Sequence, residues 1–207
     1  CSNSANHTII GSQYHGAMSD STGMKMTDQK LEISQEQIAE ADSNRLCDLA
    51  ALLGHTSDED RLAMFVQIVE HDQVVAGVVN KIAKALWTLR DEDLVEAFDV
   101  LKHSEFMSAN VLQGVAKIGS RFRGQDRLDL VDYILASEFK NEQMLYSIIN
   151  QVHPDTCEAE NQIPIFKMII DTLGEDDDSI FADIASEARN LEFEKTVEVI
   201  ELINANA

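Results

Sequence analysis

The feature that most constrains this chain is a unit of about 33 residues that appears three times without a gap between residues 58 and 152. The first two units begin with the same run of acids, at residues 58–60 and 91–93, and the third reaches this register at Asp126. Other matches at the same spacing are Phe65 with Phe98, Ala83 with Ala116, and Ser104-Glu105-Phe106 with Ser137-Glu138-Phe139. A fixed period of this length is characteristic of domains built by stacking equal units.

Within each unit the apolar residues follow a helical spacing twice, which predicts a helix A and a helix B. In the first unit, helix A carries Leu62, Phe65, Val66 and Val69, and helix B carries Val74, Val75, Val78, Val79, Ile82, Ala83 and Leu86. The broad apolar face of helix B is typical of a helix that packs on two sides. The sequence therefore predicts an all-α protein, an α-solenoid of stacked antiparallel helix pairs.

The predicted solenoid domain spans residues 34–207. Its repeats are expected at about 58–90, 91–123, 124–156 and 159–190, followed by a terminal helix at 191–204. In this last helix, four apolar residues (Phe193, Val197, Ile200 and Ile203) are expected to face the core, with charged residues on a solvated opposite face. That pattern is typical of the capping helix of a repeat array.

Capping residues set the expected helix starts. Ser34 with Gln37 forms a capping box, which predicts a first helix from Ser34 that ends before Gly54. Ser57 is expected to cap the first full repeat, and Asp91 the second. We interpret the acid runs as first-turn residues that complement the helix dipole, and we predict no metal site and no cofactor.

The formal net charge of −21 is large for 207 residues. Such a surface repels the phosphates of nucleic acids, so we predict no nucleic-acid partner. It favours basic protein partners or cations, although a solvated acidic surface without a specific partner is the simpler interpretation. No apolar run approaches the roughly 20 residues that a membrane-spanning helix needs.

One basic segment, residues 117–127, interrupts the acidic chain and carries four of its 16 Lys and Arg residues. One interpretation is local charge balance. The other is a contact for an acidic partner or a lipid headgroup, with Phe122 as its apolar tip.

The single tryptophan, Trp87, is interpreted either as a core residue or as a partner hot spot. The candidate partner contacts are Trp87, Arg121, Phe122, Arg123 and Arg127.

Cys47 and Cys157 flank the three full repeats. Stacked helix pairs advance roughly 8–10 Å each, whereas a disulfide needs Cα atoms within about 7 Å. We therefore predict that these two cysteines are not bonded to each other.

His71 and His103, which lie near the A–B turns, are interpreted as turn residues rather than metal ligands.

Paired helices with this period resemble the α-solenoid class, and the missing tetratricopeptide consensus favours a HEAT-like repeat. Residues 1–33 are polar and lack a helical or strand period, which predicts a flexible tether. The start, Cys1-Ser2-Asn3, resembles a mature bacterial lipoprotein. That resemblance implies acyl chains on Cys1, no other membrane contact, and an outer-membrane-anchored location on the periplasmic or cell-surface side.

Three functions are compatible with these patterns. The first is a non-catalytic, membrane-tethered protein-binding scaffold or adaptor, since solenoids present extended surfaces. The second is an enzyme or enzyme subunit, against which stands the lack of a phosphate-binding glycine loop, a nucleophile elbow or a zinc-protease motif. The third is an intracellular fragment of a larger solenoid. The sequence favours the scaffold and does not indicate an oligomeric state.

Overall fold

The computed structural model describes residues 33–174 and 177–206, and within these ranges it contains helices and no strand. The prediction of an all-α fold is confirmed. The α-helices are α1 Gln35–Ala39, α2 Ser43–Leu52, α3 Asp58–Val69, α4 Ala76–Ala85, α5 Leu94–Lys102, α6 Ala109–Lys117, α7 Gly124–Ala136, α8 Glu142–Ile149, α9 Ala159–Ile170, α10 Asp178–Ala188 and α11 Phe193–Asn206. Short 3₁₀ turns occupy Leu53–His55, Leu86–Thr88, Asp91–Asp93 and Gly119–Arg121.

The helices form two layers. In one layer α1 contacts α3, α3 contacts α5, α7 contacts α9, and α9 contacts α11; in the other, α2, α4, α6, α8 and α10 contact one another in order. Helices α4, α6 and α8 begin at equal intervals along the chain, at Ala76, Ala109 and Glu142. These intervals match the spacing of the sequence unit. The HEAT-like class of the repeat stays a prediction.

Connections between helices alternate between two edges of the stack. We call the edge with the α3–α4 and α5–α6 connections the turn edge. The opposite edge, which holds the 3₁₀ turns at residues 53–55, 86–88, 91–93 and 119–121, is the corner edge. The two edges differ in charge and hydrogen bonding, and this difference positions the candidate sites described below.

The core lies between the two layers. Phe65 of α3 and Phe98 of α5 are both buried, as their shared register predicts. The ring of Phe98 makes edge-on contacts with Phe122, at a centroid distance of 6.0 Å, and with Tyr133, at 5.3 Å. Equivalent valine and methionine side chains of α4, α6 and α8 are fully buried in the other layer: Val78, Val111 and Met144.

The predicted first helix, from Ser34 to Gly54, is wrong, because two helices occupy this stretch. The capping box itself is confirmed: Ser34 N–H donates to Gln37 Oε1 at 2.9 Å, and Gln37 N–H donates to Ser34 Oγ at 3.2 Å. The break follows from Asp42, whose carboxylate accepts from the Arg45 N–H at 2.8 Å and starts α2. A side chain that satisfies a free helix N–H favours a new start at that position.

The two predicted repeat caps differ in outcome. Ser57 is confirmed as the N-cap of α3, since its hydroxyl accepts from the Asp60 N–H at 3.2 Å. Asp91 as the cap of α5 is wrong, because that helix begins at Leu94 after a 3₁₀ turn. The Asp91 carboxylate accepts instead from Arg121 Nε at 2.7 Å.

At the C-terminal end, the expected orientation of α11 is wrong in part. Val199 is the fully buried residue of this helix, whereas Phe193 is 78% exposed. The contacts of α11 with α9 and α10 turn a different face inward from the one that its apolar spacing suggested. One side of the terminal helix therefore presents apolar side chains to solvent.

Cys157 is a free and buried thiol, so the prediction that it is not bonded to Cys47 is confirmed. Burial raises the pKa of the Cys157 thiol, with the nearby Arg127 acting in the opposite direction. The predicted tether and the lipid anchor at Cys1 lie outside the described residues, apart from Ile33, which is buried in the core.

Candidate functional site

Two of the five candidate contacts predicted from the sequence lie in the interior. Phe122 is only 3% exposed and packs on Phe98, so its interpretation as an apolar tip is wrong. Arg127 is 2% exposed, so it is also wrong as a surface contact. The Phe122 ring packs in the apolar core because the corner before α7 folds back onto α5.

Arg127 is held by backbone carbonyls of the corner that follows α8. Its Nη1 donates to the Thr156 carbonyl and its Nη2 to the Gln151 carbonyl, both at 2.6 Å. The Glu158 carboxylate lies 3.9 Å from Nη1. Burial lowers the pKa of the Arg127 guanidinium, and Cys157 and Glu158 act in the opposite direction. Carbonyls at helix ends lack helical partners, so this arginine has a structural role.

Arg121 is used in the same way at the preceding corner. Besides its bond to Asp91, its Nη1 donates to the Leu86 and Trp87 carbonyls at 3.2 Å, and its Nη2 donates to the Leu89 carbonyl. Arg61 of α3 repeats the pattern: it is 7% exposed and donates to the carbonyls of Leu53, Thr56 and Thr88. Three arginines of the corner edge, Arg61, Arg121 and Arg127, therefore bind backbone carbonyls of the corners.

The other two candidates are exposed. Trp87 is 60% exposed, which makes its interpretation as a core residue wrong. The Arg123 side chain is 61% exposed, with Nη1 3.8 Å from the Glu158 carboxylate. Among the five candidates, Trp87 and Arg123 therefore have the exposed side chains. Whether either contacts a partner stays a prediction.

The turn edge carries an open cleft that we call the acidic cleft. It lies between the ends of α3 and α5 and has a volume of about 660 Å³. Among the described residues, its lining contains five carboxylates and no Lys or Arg side chain. The acids are Glu70, Asp72, Glu96, Asp99 and Glu105, and the apolar lining residues are Val69, Val74, Val100 and Phe106. Of the acids, Asp99 also pairs with Lys102 beside the cleft.

A second cavity of about 490 Å³ adjoins the acidic cleft on the side of α1. Glu70, His71 and Asp72 line both cavities. The His71 ring fixes this shared wall, because its Nδ1 accepts from the Gln73 N–H at 3.0 Å and its Nε2 lies 3.3 Å from the Ala39 carbonyl. Since Nδ1 accepts, Nε2 carries the proton that is donated to Ala39.

The opposite wall of the acidic cleft is shaped by the turn after α5. His103 Nδ1 donates to the Asp99 carbonyl at 2.7 Å, and the Ser104 hydroxyl accepts from the Phe106 N–H at 3.2 Å. Ser137 and Phe139 make the same contact at 3.1 Å one unit later. Both histidines are turn residues, as the sequence predicts.

The signal that would have located the cleft is an acid at the same position of successive turns. Asp72, Glu105 and Glu138 recur at the spacing of the repeat, and all three are exposed. In the sequence these acids are lost among the many others of a chain that carries 37 Asp and Glu residues. Only the fold shows that Asp72 and Glu105 line one concave surface.

The chemistry that this arrangement offers is the binding of positive charge. In the described ranges, no group of three or more His, Cys, Asp or Glu side chains is placed to hold a metal ion. No helix in the same ranges has the length and apolar character required to cross a membrane.

Comparison with protein-family models, with curated proteins and with solved structures found no match to this chain.

Proposed function

We propose that this chain is a non-catalytic protein-binding scaffold or adaptor, and that its acidic cleft binds a basic segment of a partner protein. The observation that carries the proposal is a concave site lined by five carboxylates and, within the part of the chain that the structure describes, by no Lys or Arg side chain. Complementary charge accelerates encounter and selects among partners. This complementarity supports a basic partner, which the net charge of −21 also favours.

The floor of the acidic cleft suits lysine and arginine in particular. Val69 is buried at its base, and Val74, Val100 and Phe106 are half-buried around it. Long cationic side chains pack their methylene stems on apolar surface while the charged end reaches a carboxylate. A segment with several Lys or Arg residues can satisfy both parts of the lining, whereas a simple inorganic cation uses only the acids.

The HEAT-like class, the acyl chains on Cys1 and the outer-membrane location are further parts of the proposal. They rest on the sequence resemblances and not on the cleft. In the native host, the protein should fractionate with membranes, and Cys1→Ala should release it in folded form. An N-terminal peptide with an unmodified cysteine mass would contradict the lipid anchor and leave the cleft proposal untouched.

Fluorescence anisotropy with a labelled, extended Lys/Arg-rich peptide tests the cleft directly. The test variant neutralises four exposed acids of the cleft: Glu70→Gln, Asp72→Asn, Glu96→Gln and Glu105→Gln. A matched control makes the same change in net charge at exposed acids outside both the cleft and α11: Glu59→Gln, Asp132→Asn, Glu142→Gln and Glu160→Gln.

The cleft variant should bind the peptide about tenfold more weakly, since four partly solvated ion pairs together contribute on the order of 1–2 kcal/mol. The control variant should change the affinity by less than about twofold. Equal weakening in both variants would mean that the net charge alone attracts the peptide, and it would contradict a specific site.

A further inference from the structure

The terminal helix α11 presents an apolar stripe to solvent. Phe193 is 78% exposed, Val197 is 40% exposed and Ile200 is 37% exposed. Their spacing of four and three residues places them on one face of the helix. Scattered apolar residues on a surface are ordinary, but three of them aligned on one helix face form a continuous stripe.

One border of this stripe is acidic. Glu194, Glu198 and Glu201 have the same spacing as the apolar residues, shifted by one position, and all three are exposed. A shift of one residue corresponds to about 100° around the helix. Lys195 does not neutralise this border, because its Nζ turns inward to the Ala159 carbonyl and Gln162 Oε1, both at 3.0 Å.

The position of α11 in the stack accounts for the exposure. Its layer runs through α7 and α9 to α11, and each of these contacts is made by one helix covering the next. Among the described residues, α11 packs on α9 and α10 through its other side, and no helix covers the stripe. The stripe therefore has the shape and the apolar character of a helix-packing surface.

We infer that the Phe193–Ile200 stripe is a docking site for an amphipathic helix of a partner protein, one whose apolar stripe is bordered by Lys or Arg. An amphipathic helix buries its apolar face against such a surface through residues spaced three and four apart. A basic border meets Glu194, Glu198 and Glu201. A second copy of this chain is the poorer occupant, because it brings another acidic border and another net charge of −21.

This site is independent of the acidic cleft, because it lies on the last helix of one layer whereas the cleft lies between α3 and α5. The two sites also select different conformations. The cleft receives an extended basic segment, and the stripe receives a folded helix that needs both an apolar face and a basic border. Failure of either proposal leaves the other standing.

Two synthetic helical peptides, each of about five turns, serve as probes for the stripe. Both carry leucines at helical spacing on one face and are stabilised as helices by the same design. In the first, lysines line the border of the apolar face, and in the second, glutamates replace those lysines. Anisotropy measures the binding of each labelled peptide to the full chain.

The full chain should bind the lysine-bordered peptide at least tenfold more tightly than the glutamate-bordered one. Phe193→Ser should weaken this binding by about thirtyfold, the loss expected for a central aromatic anchor. The triple variant Glu194→Gln, Glu198→Gln, Glu201→Gln should lower the affinity severalfold. Because all four residues are exposed, these changes leave the fold intact, which circular dichroism verifies.

Trp87→Ala is the matched control, since it removes another exposed aromatic ring from the corner edge. It should leave the binding of the lysine-bordered peptide unchanged. Equal binding of both peptides, or equal weakening by Phe193→Ser and Trp87→Ala, would overturn the inference. Sedimentation that shows a dimer lost on Phe193→Ser would also overturn it and assign the stripe to a second copy.

Discussion

The corner edge and the turn edge are built from similar chain reversals, yet they use charge in opposite ways. At the corner edge, Arg61, Arg121 and Arg127 point to backbone carbonyls and are largely withdrawn from solvent. At the turn edge, the acids of the cleft remain open to solvent. Three of the corner arginines are thus occupied by carbonyls, although Arg123 stays exposed. The acids of the turn edge are open to a partner.

The difference has a physical origin in the helix ends. The corners leave carbonyls of several residues without a helical partner, and a guanidinium with five donors can satisfy three or four of them at once. An ionised carboxylate has no hydrogen-bond donor, so acidic side chains cannot bind these carbonyls. A cation close to several helix ends is therefore a weak indication of a binding surface.

The strongest test of the corner edge is Phe122→Ala. The buried ring contacts Phe98, so its removal should lower the free energy of unfolding by about 3–5 kcal/mol. Urea denaturation measures this change. If Phe122 were a surface tip, the loss would stay within about 0.5 kcal/mol, and the burial of this segment would be refuted.

A second comparison sets Arg127→Met against Arg123→Met. The first change leaves the Thr156 carbonyl without its Arg127 donor, whereas the Gln151 carbonyl keeps a bond from the Thr156 hydroxyl, so the cost should be about 1–3 kcal/mol. The second removes an exposed arginine and should cost less than about 1 kcal/mol. Equal losses in the free energy of unfolding, measured by heat or urea, would show that the bonds of Arg127 to backbone carbonyls do not stabilise the fold.

The turn edge should respond in the opposite sense. The cleft variant with four neutralised acids should keep its stability or gain up to about 1 kcal/mol, because crowded like charges repel one another. The gain should shrink as salt is added, since salt screens exposed charges. A clear loss of stability would indicate that these acids hold the fold and are not free for a partner.

The smallest effect is expected for Trp87→Ala, which should change the free energy of unfolding by no more than about 0.5 kcal/mol. As the chain contains one tryptophan, its fluorescence reports this position alone. The exposed ring should be quenched readily by acrylamide in the folded protein. Strong protection from acrylamide would place Trp87 in a packed environment and contradict the exposure of this corner.

The parts that the sequence predicts are those governed by local periodicity. The all-α fold, the core positions of Phe65 and Phe98, and the Ser57 cap follow from spacing along one helix. The burial of Arg127 does not follow from such spacing, because its hydrogen-bond partners lie 24 and 29 residues away, at a corner whose position the spacing does not predict.

The acidic cleft could not be predicted from the sequence for a related reason. Asp72 and Glu105 become neighbours of one concave surface only when α3 and α5 pack side by side. The orientation of α11 escapes it as well, since Phe193 and Val199 are both apolar and only the packing against α9 and α10 decides which is buried.

The hydrogen bonds of the corner edge have a mechanical consequence. Arg61 joins the corner before α3 to the one before α5, and Arg121 joins the corner before α7 to the same one. Gln151, in the corner after α8, donates to the Ala116 carbonyl at 2.9 Å. These bonds join successive corners along one edge of the stack. If the stack bends about this edge, we expect the width of the acidic cleft on the opposite edge to change most.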